Sequence, residues 1–278
     1  MITTPLRYPG GKAKALKMIL PLVPKFSEFR EPFLGGASVY LALKQLYPDN
    51  RFWVNDLNHD LYHFWINLRD NHVQLIEKTQ IIKDTELNGR SLHRNLVENN
   101  PQQSLEKAVR FFVLNRITFS GTIEAGGYSQ GAFEARFTQS SIDRLGPVAS
   151  VLNNTEITNL DYEELISKDG EDVFIFLDPP YLSATKSRLY GKKGNLHTGF
   201  DHTRFADVMR KTKHKWMITY DDCPEVRELF SFANILGWEF QYGMNNYKQQ
   251  TAAKGKELII TNYTIPTTDE VAPLLIPV

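Results

Sequence analysis

Cysteine is nearly missing from this 278-residue chain; Cys223 is the only one. That excludes an internal disulfide framework and a cysteine-rich zinc site, and it fits a reducing cytoplasm. Long apolar runs are missing too: nothing approaches the roughly 20 residues that a membrane helix needs. The first residues, MITTPLRYPGGK, have no apolar core of the kind a signal peptide carries. A cytoplasmic protein without membrane contact is therefore expected. Net charge is absent, with 32 basic and 32 acidic residues, which argues against a large nonspecific binder of polyanions. There is no internal repeat, no low-complexity tract and no Ser/His/Asp arrangement worth defending. His59, His63 and His72 lie along one helical stretch, which reads as a helix face rather than a metal site. No metal is expected. The remaining composition, 42% hydrophobic and 23% charged, is that of an ordinary globular protein of one or two domains.

What the chain does have is local charge. Residues 1–30 carry Arg7, Lys12, Lys14, Lys17, Lys25 and Arg30 against Glu28 alone. Residues 182–200 carry Lys186, Arg188, Lys192 and Lys193 with no acid, and Arg204 to Lys215 form a third basic run. Each run alone reads as a solvated face. Three of them beside candidate site loops point to phosphate contacts.

The stretch VFIFLDPPY, Val173 to Tyr181, organises the rest. Five apolar residues without alternation read as a strand buried on both faces. Asp178 then falls at the carboxyl end of that strand, where open α/β sheets bind ligands. Pro179 restricts Asp178 to extended or turn conformations, and Pro180 does the same to Pro179. Neither proline has an N–H, so their carbonyls are acceptors without a strand partner. Tyr181 adds a flat ring. A carboxylate, fixed carbonyls and a ring suit a flat base with an exocyclic amine.

Upstream, PLRYPGGK reads as a loop entering a helix of about three turns near Lys12. Gly10 and Gly11 permit a tight bend and close backbone approach. A lysine at a helix N-terminus gains nothing from the dipole, so Lys12 needs an anionic partner. The Walker spacing is absent. Phe29 to Phe33 read as a strand, Gly35 and Gly36 as a turn, and Ala37 to Leu46 as a helix, the first unit of a nucleotide-binding sheet. RFWVNDLN is a second strand ending in Asp56, the position where such folds hold ribose hydroxyls. Between Asp60 and Arg116 the chain reads as helical and too long for one crossover, hence an inserted subdomain. It ends in FSGTIEAGGYSQ, expected as a hairpin of two short strands exposing Arg116, Glu124, Tyr128, Ser129 and Gln130. Such a ribbon can enter a DNA major groove, though the residues alone favour a plain mobile surface hairpin. TEITNLD, VFIFL and WMITYDD resume the sheet, and EFQYGM with ELIITNYTI make an antiparallel pair.

RYPGGK, EPFLGGASV, NDLN, DYEEL, LDPPY, HTGFDHTRF and KGKELIITNY occur here in the order seen in Dam-type DNA adenine-N6 methyltransferases. The chain resembles that family from about Thr3 to Tyr263. The resemblance implies S-adenosylmethionine bound at the carboxyl ends of the strands. Tyr8, Gly10, Gly11 and Lys12 match the first cofactor motif, with Lys12 facing the methionine carboxylate. Pro32, Phe33, Gly35 and Gly36 match the glycine turn by the methionine, and Asp56 the ribose acid. Asp161 and Tyr162 fall where the family contacts the cofactor's adenine. Asp178, Pro179, Pro180 and Tyr181 match the catalytic motif. Two departures stand out: Tyr8 and Pro9 replace the Trp-Ala of GATC-specific members, and Glu124 stands about where they carry an arginine. The target sequence is therefore not carried over.

The expected fold is α/β: a Rossmann-like methyltransferase with a mostly parallel sheet, a reversed C-terminal strand and an inserted helical target-recognition subdomain. Residues 1–68 and 150–265 would form the methyltransferase domain, 69–149 the insertion, and 266–278 a tail. The expected reaction is methyl transfer to N6 of an adenine flipped out of duplex DNA. Expected DNA contacts are Arg7, Arg116, Glu124, Tyr128, Gln130, Lys186 and Arg188. Rival readings are cytosine-N4 transfer, which more often shows SPPY; RNA or protein-amide transfer, the latter usually with NPPY; and a non-catalytic DNA-binding module. A monomer is expected, with a cognate restriction nuclease as a possible partner.

Overall fold

The computed structural model describes residues 1–123, 126–182, 199–240 and 255–265. Seven strands form one sheet: β1 (Glu28–Glu31), β2 (Arg51–Asn55), β3 (Thr155–Thr158), β4 (Val173–Leu177), β5 (Lys215–Asp221), β6 (Asn234–Phe240) and β7 (Gly255–Thr261). Their order is β3-β2-β1-β4-β5-β7-β6. The five neighbours from β3 to β5 run parallel, and β7 is antiparallel to both β5 and β6. The mostly parallel sheet with a reversed C-terminal strand is thus present. Chain order reverses between β1 and β4, which makes their carboxyl ends the topological switch point.

Alternation along β4 assigns its faces. Phe174 and Phe176 pack into one core with α2 (Ser38–Leu46), α3 (His59–Asp70) and α6 (Ser104–Ile117). Val173, Ile175 and Leu177 pack into the other with α10 (Tyr162–Ser167), α11 (His202–Lys211) and α12 (Pro224–Leu229). Helices cover both faces, so β4 needs no polar alternation. α3 runs to Asp70 and is followed by α4 (His72–Thr85), α5 (Gly89–Glu98), α6, α7 (Gln130–Arg136), α8 (Gln139–Asp143) and α9 (Leu145–Val151) before the chain returns to the sheet at β3.

Three local expectations change. β1 ends at Glu31 because Pro32 cannot donate to a ladder. The first helix breaks into a 3-10 turn (Lys12–Ala15), α1 (Leu16–Ile19) and a second 3-10 turn holding Pro21. The expected ribbon is a single bridge, Thr118 with Tyr128, around a 3-10 turn at Phe119–Gly121. Local bonds compete with a ladder there. Thr118 Oγ1 donates to the Leu114 carbonyl at 2.7 Å, Thr122 Oγ1 to Phe119 at 2.8 Å, and the Gly126 N–H to Thr122 at 2.8 Å.

β1 buries charge as well as apolar surface. Arg30, 1% exposed, donates to Glu28 Oε1 at 2.6 Å and to the carbonyls of Leu165, Lys168 and Asp169 at 2.5–3.0 Å. The arginine thereby closes the segment after α10 onto the sheet. Removing it would leave Glu28 and three carbonyls without that donor. Arg30→Ala is expected to destabilise folding by about 3–5 kcal/mol, the range for breaking a buried pair. Urea unfolding of both proteins measures this.

Candidate active site

A cavity of about 1240 Å³ opens at the switch point. That exceeds the usual range for one small ligand, about 300–1,000 Å³, and leaves room for a second. Strand ends supply its wall: Glu31 to Gly36 after β1, Asn55 to Asn58 after β2, Leu160 to Tyr162 after β3, and Asp178 to Tyr181 after β4. Tyr8 to Lys12 and the turn residues Phe119, Ser120 and Thr122 close it.

Asp178 is held from two sides. Lys12 Nζ donates to Oδ2 at 2.7 Å, and Thr219 Oγ1 of β5 donates to Oδ1 at 2.8 Å. Lys12 is 4% exposed, and its Nζ also reaches the Gly10 carbonyl at 3.1 Å. The anionic partner expected for Lys12 is thus Asp178 in this structure. Lys12 also lies 5.1 Å from the centre of the Tyr181 ring, which stacks on Tyr220. Pro179 is buried, while Pro180 and Tyr181 are half-buried.

The glycine turn is shaped by Tyr8. A Cβ on Gly35, whose φ is +47°, would sit 2.8 Å from Tyr8 Cε1, and one on Gly36 would sit 2.9 Å from Tyr8 Cβ. Only glycine lets the N-terminal loop lie this close. Asp56 holds the turn: its Oδ2 accepts from the Gly35 N–H at 2.8 Å and its Oδ1 from the Asn58 N–H at 2.9 Å. Burial pushes this carboxyl up to about 6, against those two donors.

Glu31, not anticipated from the sequence, also lines the cavity at 3% exposure. Among the described residues its Oε2 has no hydrogen-bond partner. Burial, followed by the charge of Asp178, pushes its pKa well above the carboxylate range. An enclosed carboxyl with a free oxygen fits a cationic guest group. Asn55, also missed, ties two loops together: its side chain bonds the Pro32 carbonyl and both the carbonyl and N–H of Leu160 at 2.8–3.1 Å. Both residues had a signal, since each is a polar residue closing a buried strand, as Asp178 is.

At the other end, Phe33, Tyr162 and Phe200 approach with ring centres 5.6–5.8 Å apart. Asp161 caps α10 by accepting from the Glu163 N–H at 3.0 Å. Arg204 grips Asp161 with two nitrogens at 2.9 and 3.2 Å and lies over the Tyr162 ring.

The expected DNA-contacting residues scatter. Arg7 is half-buried and donates to the Thr118 carbonyl at 3.1 Å. Arg116, expected to be exposed, is 5% exposed because the last turn of α6 packs it over Phe112. Tyr128 is half-buried, flanked by Arg90 and His93, and its hydroxyl meets exposed Gln130. Phe119, at 69% exposure, was missed. Glu124, Lys186, Arg188, Lys192, Lys193 and the tail lie outside the described residues. Among the described residues no group of three or more His, Cys, Asp or Glu side chains could hold a metal ion.

The chain is 26% identical over 275 residues to type II methyltransferase M1.LlaDCHI of Lactococcus lactis subsp. cremoris, covering 92% of this chain and 94% of that one. It is 24% identical over 242 residues to the DNA adenine methylase of Vibrio cholerae serotype O1, covering 83% and 85%. The family model described as D12 class N6 adenine-specific DNA methyltransferase matches residues 8–244, a span holding the glycine turn, Asp56, Asp161 and the Asp178–Tyr181 corner. The chain therefore belongs to the D12 class N6 adenine-specific DNA methyltransferase family.

Proposed function

We propose that the switch-point cavity takes S-adenosylmethionine and a flipped target adenine side by side, with Asp178 between them. The observation that carries this is the continuity of one cavity from Asp56 and Glu31 to the Asp178–Tyr181 corner. The fit is chemical. Glu31, with its free oxygen, suits the cationic groups of the cofactor, Asp56 its ribose hydroxyls, and the Phe33–Tyr162–Phe200 rings its adenine. When bound, the cofactor supplies an electrophilic methyl group.

The chain's own residues do the rest. The target amine lies inside the base stack, so the adenine is flipped at a cost of about a few kcal/mol. Tyr181 stacks on it. Asp178 accepts one N6 hydrogen and the Pro179 carbonyl the other. Holding both hydrogens turns the nitrogen lone pair out of conjugation with the ring. The same acceptors stabilise the positive charge that develops at N6. Asp178 is oriented for this by Thr219, whose hydroxyl points its Oδ1.

Residues 69–149 serve as the target-recognition part. Phe119 offers an exposed ring at the cavity rim for base stacking, and Tyr128 and Gln130 stand beside it for base edges. Arg7 contributes charge next to the same turn. Arg116 acts behind it as a buried charge rather than as a reader. Glu124 is proposed to read one base, and Lys186 and Arg188 to meet phosphates. The enzyme acts as a monomer in the cytoplasm.

Asp178→Ala is expected to abolish transfer while cofactor binding stays within about threefold, because the lost bond acts mostly in the transition state. Mass analysis of nucleosides from treated DNA measures transfer, and calorimetry measures binding. Near-normal turnover would remove the corner from the chemistry. Asp56→Ala is expected to weaken cofactor binding by about 1–3 kcal/mol. The wild-type affinity should also fall below about pH 6, where the Asp56 carboxylate takes up a proton. Unchanged affinity in both experiments would place the ribose elsewhere. DNA affinity should fall steeply with salt, since a neutral chain binds phosphates through local patches; a salt-independent affinity would point to a different substrate.

A further inference from the structure

Arg204 lines the cavity at its aromatic end. Its backbone is fixed first: Asp201 caps α11 and accepts the Arg204 N–H at 2.9 Å. Its side chain then crosses to the start of α10. Nη2 donates to Asp161 Oδ1 at 2.9 Å and to Glu163 Oε2 at 2.6 Å, and Nη1 donates to Asp161 Oδ2 at 3.2 Å. The guanidinium lies 5.1 Å from the centre of the Tyr162 ring.

Stability does not account for this grip. The Arg204 and Asp161 side chains are 46% and 40% exposed, and an ion pair that open to water adds little to folding. What a fork of two bonds does supply is direction, because it fixes the plane of the carboxylate. An ionised carboxylate offers about four lone-pair positions. On Asp161, Arg204 takes two of them and the Glu163 N–H takes a third. One position remains among the described residues, on Oδ2. The next residue, Tyr162, opens α10, so its N–H has no intrahelical carbonyl to reach. An acceptor beside a donor, next to the rings of Phe33, Tyr162 and Phe200, matches the edge of adenine, whose N6 donates and whose N1 accepts. It mismatches hypoxanthine, which has a carbonyl oxygen on C6 and a hydrogen on N1.

We propose that Arg204 is a positioning residue that sets the purine specificity of the cofactor site, by locking Asp161 as a one-position acceptor for an exocyclic amine. This rests on the reading that the cofactor's adenine lies against these rings. While Arg204 holds it, the carboxylate cannot turn away from a carbonyl at C6 and repels it. Without Arg204, Asp161 rotates about its side-chain bonds. The amine then loses its acceptor and the carbonyl loses its obstacle.

The test is calorimetric titration with two ligands: S-adenosylhomocysteine, and S-inosylhomocysteine, in which a carbonyl oxygen replaces the amine. Wild type should prefer the adenosyl ligand by about tenfold or more, because a site built to bond an amine rejects an analogue lacking it. Arg204→Met should bind the adenosyl ligand about three- to tenfold more weakly and the inosyl ligand no more weakly, so that the preference falls below about threefold. Arg204→Lys, which keeps the charge without the fork, should also fall below about threefold. A wild type without preference overturns the proposal. So does an Arg204→Met protein that binds both ligands more weakly but keeps their ratio, since that is what a merely structural role produces. If thermal melts show Arg204→Met unfolded, Arg204→Lys decides by the same ratio. Asp161→Asn keeps a good helix cap but can donate as well as accept, and separates the two readings. If it retains the wild-type preference, the adenine lies elsewhere. If it loses the preference while Arg204→Met and Arg204→Lys keep it, only the role of Arg204 falls.

Discussion

One ion pair, between a buried lysine and a half-buried aspartate, joins the N-terminal loop to the end of β4. Lys12 and Asp178 stand 166 residues apart in sequence and 2.7 Å apart in space. A buried ammonium without a partner would cost several kcal/mol. Lys12 is therefore tolerated because of Asp178, and the N-terminal loop is pinned across the ends of β1 and β4. That pin sets Tyr8 over Gly35 and Gly36, where no side chain would fit. It also sets Lys12 against the Tyr181 ring. Thr219 then fixes the second oxygen of Asp178, so the carboxylate is oriented without help from a ligand.

The same logic is repeated across the sheet. Each of the central parallel strands ends in a polar residue that would be out of place in its interior: Glu31 after Arg30, Asn55 and Asp56, Asp178, and Asp221. At the carboxyl end of a parallel strand the backbone leaves its ladder, and a polar side chain there can face the crevice. Asn55 spends its amide on holding the loops after β1 and β3 together. Asp56 spends both oxygens on the turns on either side of it. Rigid loops built this way let the acids keep a fixed spacing around a guest, which is how electrostatic stabilisation avoids reorganisation during the reaction.

Much of this was legible in the residues because it follows from local rules. A continuous apolar run gave β4 with the boundaries the structure has, since nothing but a doubly covered strand tolerates VFIFL. The glycine turn and Asp56 followed from strand-turn-helix patterning. What the sequence hid is long-range. The partner of Lys12 could be inferred to be an anion, but which anion depends on a crossing of the whole chain. Arg116 looked like a surface reader, yet α6 carries it inward over Phe112. Glu28 and Arg30 interrupt β1 so strongly that its start reads as polar surface; only the carbonyls after α10 explain them. The ribbon expected after α6 failed for a nearer reason, because Thr118 and Thr122 satisfy the backbone locally.

The zero net charge conceals a strong internal separation. Around the cavity the acids dominate: Glu31, Asp56, Asp161, Asp178, Asp201 and Asp221 line it against Lys12, Arg204 and Lys256, and burial raises Glu31 and Asp56. Beside the turn at Phe119 the arginines dominate instead. Arg7, Arg136 and Arg144 all lower the pKa of Arg116, after burial, to about 10. Among the described residues Arg116 Nε has no hydrogen-bond partner. Each grouping is unfavourable alone, because like charges repel strongly where water is scarce. Each becomes favourable against a guest of the opposite sign. On the proposed reading the cationic cofactor relieves the acids and the polyanionic duplex relieves the arginines, so that each guest neutralises the cluster of opposite sign.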